Sequence, residues 1–412
     1  MLIGFFCMLF GHSTAQNIIP ANVSFGNPTQ GGLNGKIIRV TTLNPEGPGS
    51  IKEAIETKGP RVVLFEVGGV IDLNKGNLDI TEPFLTIAGQ TAPFPGITFI
   101  RGGFWINTHD IVIQHISVRP GDAGEPKRSG WSPDGLTTSG GNAYNIIIDH
   151  CSFTWAVDEN LSASGRRTEG PRSTSHKITF SNNIIAECLS NSSHEKGEHS
   201  KGTLIHDFCR DIAIVGNLFA HNAMRNPYFK AHSTGVIVNN LIYNPGKAAI
   251  QLNYSKSEWE YAKYEPQNCR VSVLGNVLYA GKNTSEKMAL VATKGDAFMK
   301  DNLAFDIKGM GLPLTYGNIN ILSEKPVWPT DFMPLPANEV VGYITRNAGA
   351  RPKERDAVDK RIIQDLLDRK GQILDSQDEV GGYPKYKATY RKLDVPQENI
   401  DSWLIQLASE LQ

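Results

Sequence analysis

Three acids, Asp134, Asp158 and Glu159, and four cations, Lys196, Lys201, Arg225 and Lys230, are the residues of this chain whose types and order could do chemistry. Carboxylates brought together from separate parts of a chain make a hard oxygen site of the kind that suits Ca2+. Asp134 precedes Gly135, and an Asp-Gly pair by itself reads as a turn, so only proximity to further acids would make Asp134 a ligand. Arg225 and Lys230 flank Pro227, and in an extended segment their offset would put them on opposite faces. A bend at Pro227 is therefore needed to aim both at one ligand. His194 and His199 bracket the helix-disrupting Gly197 and lack a third ligand at a recognised spacing, so that run is expected to be a polar loop at a groove edge rather than a metal site. Acids upstream and cations downstream on one rigid scaffold predict a site that grips and processes an anionic polymer.

The scaffold can be read from composition and repeats. The 412 residues carry 41 basic and 42 acidic side chains, a net charge of -1, which excludes a global attraction to nucleic acid or to an anionic membrane. Any affinity for a polyanion must be local. With 40 Gly and only 8% aromatic residues, many short strands are favoured over long helices. A phrase of alternating apolar residues, an Asn and two more apolar residues recurs at 178–185, 212–219, 236–242, 271–278 and 298–304, with degenerate copies at 111–116 and 146–151. Alternation with a period of two means strands. Asn183, Asn217, Asn240, Asn276 and Asn302 occupy the same point of each copy, which suits a residue tolerant of the left-handed turn conformation, and stacked in register they would form a ladder inside a solenoid. The spacing fits one coil of about 22 residues plus loops of varying length, and such loops on one side of a stack would wall a long groove. The competing architecture is a β-sandwich with Asn-rich turns.

Length alone would allow two domains, but no independent second domain is legible. Ser50 is placed to cap a short helix over residues 51–56 that could close the open end of the solenoid. Residues 356–369 place Val358, Ile362, Ile363, Leu366 and Leu367 on one helical face, predicting a helix laid along the outside of the β core. Residues 326–336 and 381–386 read as extended linkers wrapping the surface. Residues 1–15 read as a signal peptide, with a short apolar run and small residues before Gln16, leaving residues 16–412 as one unit with a C-terminal extension from about residue 321. That implies a secreted or periplasmic protein, a monomer with no membrane contact once the signal is removed. Cys151, Cys188, Cys209 and Cys269 stand outside any paired metal-binding spacing and are expected to be buried free thiols, the alternative being a Cys188–Cys209 disulfide.

The segment Asp149, His150, Cys151, Ser152, Phe153, together with Asp158, the run from Arg225 through Pro227 to Lys230, and Asn239-Asn240-Leu241, resembles the pectate lyases of polysaccharide lyase family 1, in a secreted bacterial branch. The resemblance covers roughly residues 22–320, and the tail from Asn347 to Pro384 resembles the C-terminal signature of the same branch. It implies an all-β fold, a right-handed parallel β-helix, that cleaves polygalacturonate, an anionic polysaccharide, by Ca2+-dependent β-elimination. On this resemblance Arg225 matches the base that abstracts the uronate C5 proton, Lys201 a substrate-binding lysine, and Lys230 the place of a second, substrate-binding arginine. The Arg-to-Lys difference loses bidentate carboxylate geometry. Asp134 and Asp158 match calcium ligands of the family, Ser162 stands where a further acid is expected, and Glu159 could supplement the set. Asp149 and His150 match a motif whose role is expected to be structural. An ordinary guanidinium titrates near 12.5, so a neutral Arg225 at about pH 8.5 costs roughly 5.4 kcal/mol, and neighbouring cations would have to supply part of that.

Three rivals follow from the same residues. A glycoside hydrolase on this fold would need paired carboxylates, and the chain has no Asp-Asp dipeptide and no acid beside Arg225 in sequence. A lyase for another uronan such as alginate would keep the elimination and change the polymer. A non-catalytic carbohydrate-binding β-helix would keep only the scaffold.

Overall fold

The computed structural model describes Val23, Phe25, residues 29–260 and residues 262–412. Residues 1–15, expected to be a signal peptide, lie outside the described residues. From residue 36 to residue 321 the chain winds through short strands, and successive coils stack strand on strand in three parallel ladders. The first ladder runs through Leu78–Ile80, Phe104–Ile106, Leu136–Ser139, Glu159–Ser164, Lys201–Ile205, Tyr228–Phe229 and Ile250–Leu252 to Val291–Lys300. The second includes Ile111–Gln114, Tyr144–Asp149, His176–Ser181, Arg210–Val215, Thr234–Val238 and Arg270–Leu274. The third includes Ile116–Arg119, Ser152–Thr154, Ile184–Ala186, Leu218–Ala220, Leu241–Tyr243 and Val277–Tyr279. This is the parallel β-helix expected from the repeat.

Alternation decides what fills it. Leu136, Leu161, Ile205, Phe229 and Ile250 of the first ladder point inward, meeting Ile148, Phe180, Ile214 and Ile237 of the second and Phe153, Ile185, Phe219 and Ile242 of the third. Each such side chain contributes roughly 1.5–3 kcal/mol by leaving water. At the corner between the second and third ladders the predicted Asn ladder is present. Asn217 Oδ1 accepts from Asn183 N at 2.9 Å and from Asn183 Nδ2 at 3.0 Å. The same pair of bonds repeats from Asn217 to Asn240, from Asn240 to Asn276 and from Asn276 to Asn302. Each amide also donates to a main-chain carbonyl, as Asn240 does to Ile214 O at 2.9 Å.

One detail of the expectation is corrected. The ladder Asn is not the left-handed residue; its predecessor is, at Asn182, Gly216, Asn239, Gly275 and Asp301, all with φ between 51° and 69°, and His150 before Cys151 does the same in a degenerate copy at 47°. The corner needs two residues with different jobs, one to reverse the chain and one to hold its neighbours.

Among the described residues, four α-helices close and clasp the solenoid. α1, Ile51–Glu56, is capped by Ser50, which accepts from Glu53 N, and buries Ile51, Ala54 and Ile55 against the first coil. α2, Ala337–Asn347, was not apparent from sequence and covers the third ladder with Val340, Tyr343 and Ile344. α3, Ala357–Asp368, is capped by Asp356 and buries Val358, Ile362, Ile363 and Leu366, whereas Leu367 is exposed. α4, Ile400–Leu411, also unanticipated, places Leu404 beside Val62 and Leu64. The tail is tied down by charge: Arg119, fully buried, donates to Asp356 at 2.7 Å and to Asp359 at 3.0 Å, and Arg361 donates to both oxygens of Glu187 at 2.6 and 2.7 Å. Cys151, Cys188, Cys209 and Cys269 are buried free thiols, so the alternative Cys188–Cys209 disulfide is absent.

Asp149 and His150 belong to this scaffold. Asp149 is fully buried and accepts from Gln114 at 3.0 Å, Ser181 at 2.8 Å and Asn182 at 2.9 Å, with His150 Nδ1 at 2.8 Å. Burial opposes ionisation, but the charge and hydrogen bond of His150 prevail and hold the carboxyl at about 2.

Replacing Asn240 by Ala would strand the main-chain and side-chain donors of Asn217 inside the core. We expect Asn240→Ala to lower the stability by about 2–4 kcal/mol in guanidinium unfolding; a loss below half a kcal/mol would show that the ladder does not hold the coils.

Candidate active site

The first ladder positions the chemistry. Asp134 lies just before Leu136–Ser139, Asp158 just before Glu159–Ser164, Lys201 opens Lys201–Ile205, and Arg225 enters Tyr228–Phe229. Glu159 and Lys201 are register partners, and Lys201 bridges to Met224. Strands stacked about 4.8 Å apart thus align their entering ends, and residues remote in sequence share one place.

The three acids converge: one oxygen each from Asp134, Asp158 and Glu159 lies within 4.8 Å of the other two. Asp134 accepts from Glu159 N at 2.9 Å and from Thr137 Oγ1, while Thr137 Oγ1 lies 2.9 Å from Ser162 Oγ. Ser162, standing where an acid was expected, therefore orients Asp134 through hydroxyls. Burial, and after it the charge of Asp158, pushes the Asp134 carboxyl up to about 7. Burial opposes ionisation of Asp158 too, but the hydrogen bond and charge of His199, followed by Lys201 and His194, hold it at about 2. Crowded carboxylate oxygens, one of them forced toward its neutral form, are a donor set that fits a hard divalent cation.

The cations divide. Arg225, in the left-handed conformation at φ 62°, pairs with Glu159 through Nη1, donates from N to Gln251 Oε1 at 2.9 Å and lies 5.5 Å over the Tyr228 ring, while its Nε is buried without a hydrogen-bond partner. Burial lowers its pKa below the ordinary guanidinium value, against the charges of Asp158 and its other acidic neighbours. The Glu159 contact favours the charged form, so the ion-paired Arg225 is protonated and loses that support only if Glu159 is engaged elsewhere. Lys201 is likewise lowered by burial, opposed by Asp158, and contacts His199 Nε2. Lys230 has other direct partners. It is 6% exposed and locked to Glu258, with Asp207 Oδ2 at 3.5 Å, and Arg167 joins the same two acids at 2.9 and 3.1 Å. Glu258, the partner of Lys230, is also one of the charges that act on Arg225, so the two cations share an acidic neighbour across the turn at Pro227.

Sequence reasoning missed two contacts. Glu159, an acid absent from the sequence neighbourhood of Arg225, is its partner in space. His194 and His199, read as a groove-edge loop, stack at 3.5 Å beside Asp158, with His199 Nε2 2.7 Å from Asp158 Oδ1. His194 Nδ1 accepts from Lys196 N at 3.0 Å, which leaves the proton of a neutral ring on Nε2, facing Asp158. Both Nε2 atoms approach Asp158 Oδ1, at 2.7 and 3.7 Å, and one ligand atom from each of Asp158, His194 and His199 lies within 4.8 Å of the other two, so the run read as a groove-edge loop forms a second donor group that shares Asp158 with the three acids.

A coil-stacked groove with acids and cations at the entering ends of adjacent strands defines a carbohydrate-active β-helix. The relatives make this specific. A protein of Neosartorya fischeri named "Probable pectate lyase C" is 30% identical over 384 residues, covering 90% of this chain and 82% of its own, and an Aspergillus terreus protein of the same name is 29% identical over 387 residues, covering 90% and 83%. The chain belongs to the pectate lyase family, whose members are polysaccharide lyases. These relatives are fungal and lend no support to the bacterial branch suggested by the motifs. No family model matches the chain. Among solved structures, the major allergen from cedar pollen (TM-score 0.56, 17% identity, 78% of this chain and 90% of that one) and a pectate lyase bound to hexasaccharide (TM-score 0.54, 14% identity, 82% and 99%) share the fold.

If Asp134 ligates a cation, binding must displace its proton below about pH 7. Ca2+ affinity measured by calorimetry should then rise roughly tenfold per pH unit up to neutrality and level off above it, and Asp134→Asn should weaken binding and remove the slope. An affinity unchanged between pH 5.5 and 8 would exclude Asp134 from the site.

Proposed function

We propose that the chain is a Ca2+-dependent pectate lyase, acting as a secreted or periplasmic monomer, that cleaves polygalacturonate by β-elimination to 4,5-unsaturated oligogalacturonides. The observation that carries this reading is the convergence of Asp134, Asp158 and Glu159 within 4.8 Å, with Arg225 bound to one of them and Lys201 in register with it. Family membership supports elimination over hydrolysis. In keeping with export, no helix among the described residues is long and apolar enough to cross a membrane.

Asp134, Asp158 and Glu159 would hold the ion. Ca2+ so bound supplies positive charge that neutralises the acids and stabilises the charge developing on a uronate carboxylate. The remaining work falls to the side chains. Lys201 presents a second positive charge to the carboxylate and acidifies C5. Arg225, once released from Glu159 and deprotonated, takes the C5 proton; the C5–H pair becomes the C4=C5 double bond, and the C4–O4 bond breaks with its electrons going to O4, which water protonates. Burial of Arg225 lowers the cost of its neutral form. Since the base must be deprotonated, the rate should climb on the alkaline side.

Lys230 enters differently from the expectation. Its charge and that of Arg167 are matched by Glu258 and Asp207, so an unmodified uronate gains little there. A methyl-esterified unit, which has no charge to place, would lose nothing.

Ultraviolet absorbance of the conjugated product, followed on polygalacturonate, methylated pectin and alginate with Ca2+ or with chelator, tests the whole reading; absorbance on none of the three, or no effect of chelator, would overturn it. Arg225→Ala should cut kcat by at least a thousandfold (order of magnitude for loss of a catalytic base and its charge) with polymer still bound. Glu258→Gln should lower KM severalfold for polygalacturonate but not for methylated pectin, and equal changes on both would show that Lys230 is out of reach of the polymer.

A further inference from the structure

A cavity of about 690 Å3 opens beside the leaving ends of Phe104–Ile106, Leu136–Ser139 and Glu159–Ser164, lined by Trp105, Asn107, Asn142, Arg166, Glu169 and Arg172 among others. Its size is that of a small-ligand site. Trp105 is flanked by Phe104 and Ile106, which are buried in the core, so alternation turns its indole outward, where it is 42% exposed. A large aromatic ring left in water at the wall of a polar cavity is the ordinary means of binding the apolar face of a sugar ring. Arg166 and Arg172 outweigh Glu169, with which Arg166 pairs at 3.0 Å, so the cavity carries a net positive charge. Asn107 and Asn142 add amide donors and acceptors for hydroxyls.

Register ties this cavity to Arg225. Trp105, Thr137, Ser162, Leu204, Tyr228 and Gln251 follow one another as partners across six strands of the ladder. Thr137 contacts Asp134, Tyr228 lies under the Arg225 guanidinium, and Gln251 accepts from Arg225 N. The row is thus the floor of the site. From Tyr228 to Trp105 it runs four rungs, or about 19 Å at the spacing of stacked strands. One rung is close to the length of one pyranose unit, so a linear uronan lying along the row would reach Trp105 about four units from the bond that breaks.

We propose that the Trp105 cavity is a distal saccharide subsite that takes a uronate unit, its ring face on the indole and its carboxylate toward Arg172 and Arg166. The proposal rests on the reading of the chain as a uronan lyase. It makes recognition depend on chain length. A polymer occupies both the reaction centre and the cavity, whereas a trimer held at Arg225 cannot reach Trp105.

Two measurements test it. In turnover, Trp105→Ala should raise KM for polygalacturonate roughly tenfold, the worth of one aromatic stacking contact, with kcat unchanged and kcat/KM for trigalacturonate within about twofold of the parent. Trp105→Phe should restore most of the loss, and Arg172→Ala should raise KM in a way that vanishes at high salt. In binding, calorimetry of hexagalacturonate with Arg225→Ala and with Arg225→Ala/Trp105→Ala should show the second variant about tenfold weaker. Unchanged KM on the polymer, an equal loss on the trimer, or equal hexamer affinities would overturn the subsite. Failure of the parent protein to release unsaturated product from any uronan would instead overturn the lyase reading, and the hexamer titration would still decide the subsite.

Discussion

Parallel coils are held together because each strand has its N–H and C=O groups satisfied by the coil above and the coil below. A ladder tolerates no slip: a shift of one residue would turn every inward Ile and Phe to solvent. The buried asparagines at the corner enforce the same register from within. Asn183 through Asn302 each satisfy the main chain of the neighbouring coil as well as one another, and an amide left unpaired there would cost more than its bond contributes. Register is what brings Asp134, Glu159, Lys201 and Arg225, spread over ninety-odd residues of sequence, to the entering ends of adjoining strands.

At those ends charge is packed more tightly than water would allow. Three carboxylates share one pocket, where burial and then the charge of Asp158 push Asp134 toward neutrality, while His199 and Lys201 offset Asp158 and Arg225 offsets Glu159. A cation bound there would relieve the repulsion and compete with Arg225 for Glu159. At the leaving ends of the same strands the charges are already settled, Lys230 and Arg167 against Glu258 and Asp207. One strand segment, from Arg225 to Lys230, thus joins the acid-rich cluster to one whose charges are already paired.

The tail covers another face and also reaches the site, where Leu374 O and Asp375 Oδ1 accept from the main chain of Ser190 and Asn191 beside the His194–His199 run. α2 and α3 cover the third ladder, and Arg119, Asp356, Asp359, Arg361 and Glu187 pair beneath them. Removing one partner from such a pair would leave a buried charge, a loss of about 3–5 kcal/mol. Covering this face with helices leaves the groove over the first ladder as the side on which loops of differing length can stand.

Local pattern was legible because it depends on residues close in sequence. Period-two alternation revealed the strands, the recurring Asn revealed the coil, and Ser50 and the apolar face of residues 356–369 revealed α1 and α3, while the types of the acids and cations were legible but not their grouping. α2 and α4 escaped because they lie in a tail whose burial is set by the solenoid beneath it, and the left-handed residue escaped because Asn suits either position of the corner. The partners of the charged groups could not be read at all. Which acid meets Arg225, whether Lys230 faces solvent or Glu258, and which ring stands at the end of the row depend on loop lengths that set one coil against the next. The sequence by itself determined a stack of coils and the kinds of side chain carried on it; only the tertiary structure decided which of them touch, because a charge is defined by its neighbours and those neighbours come from other rungs.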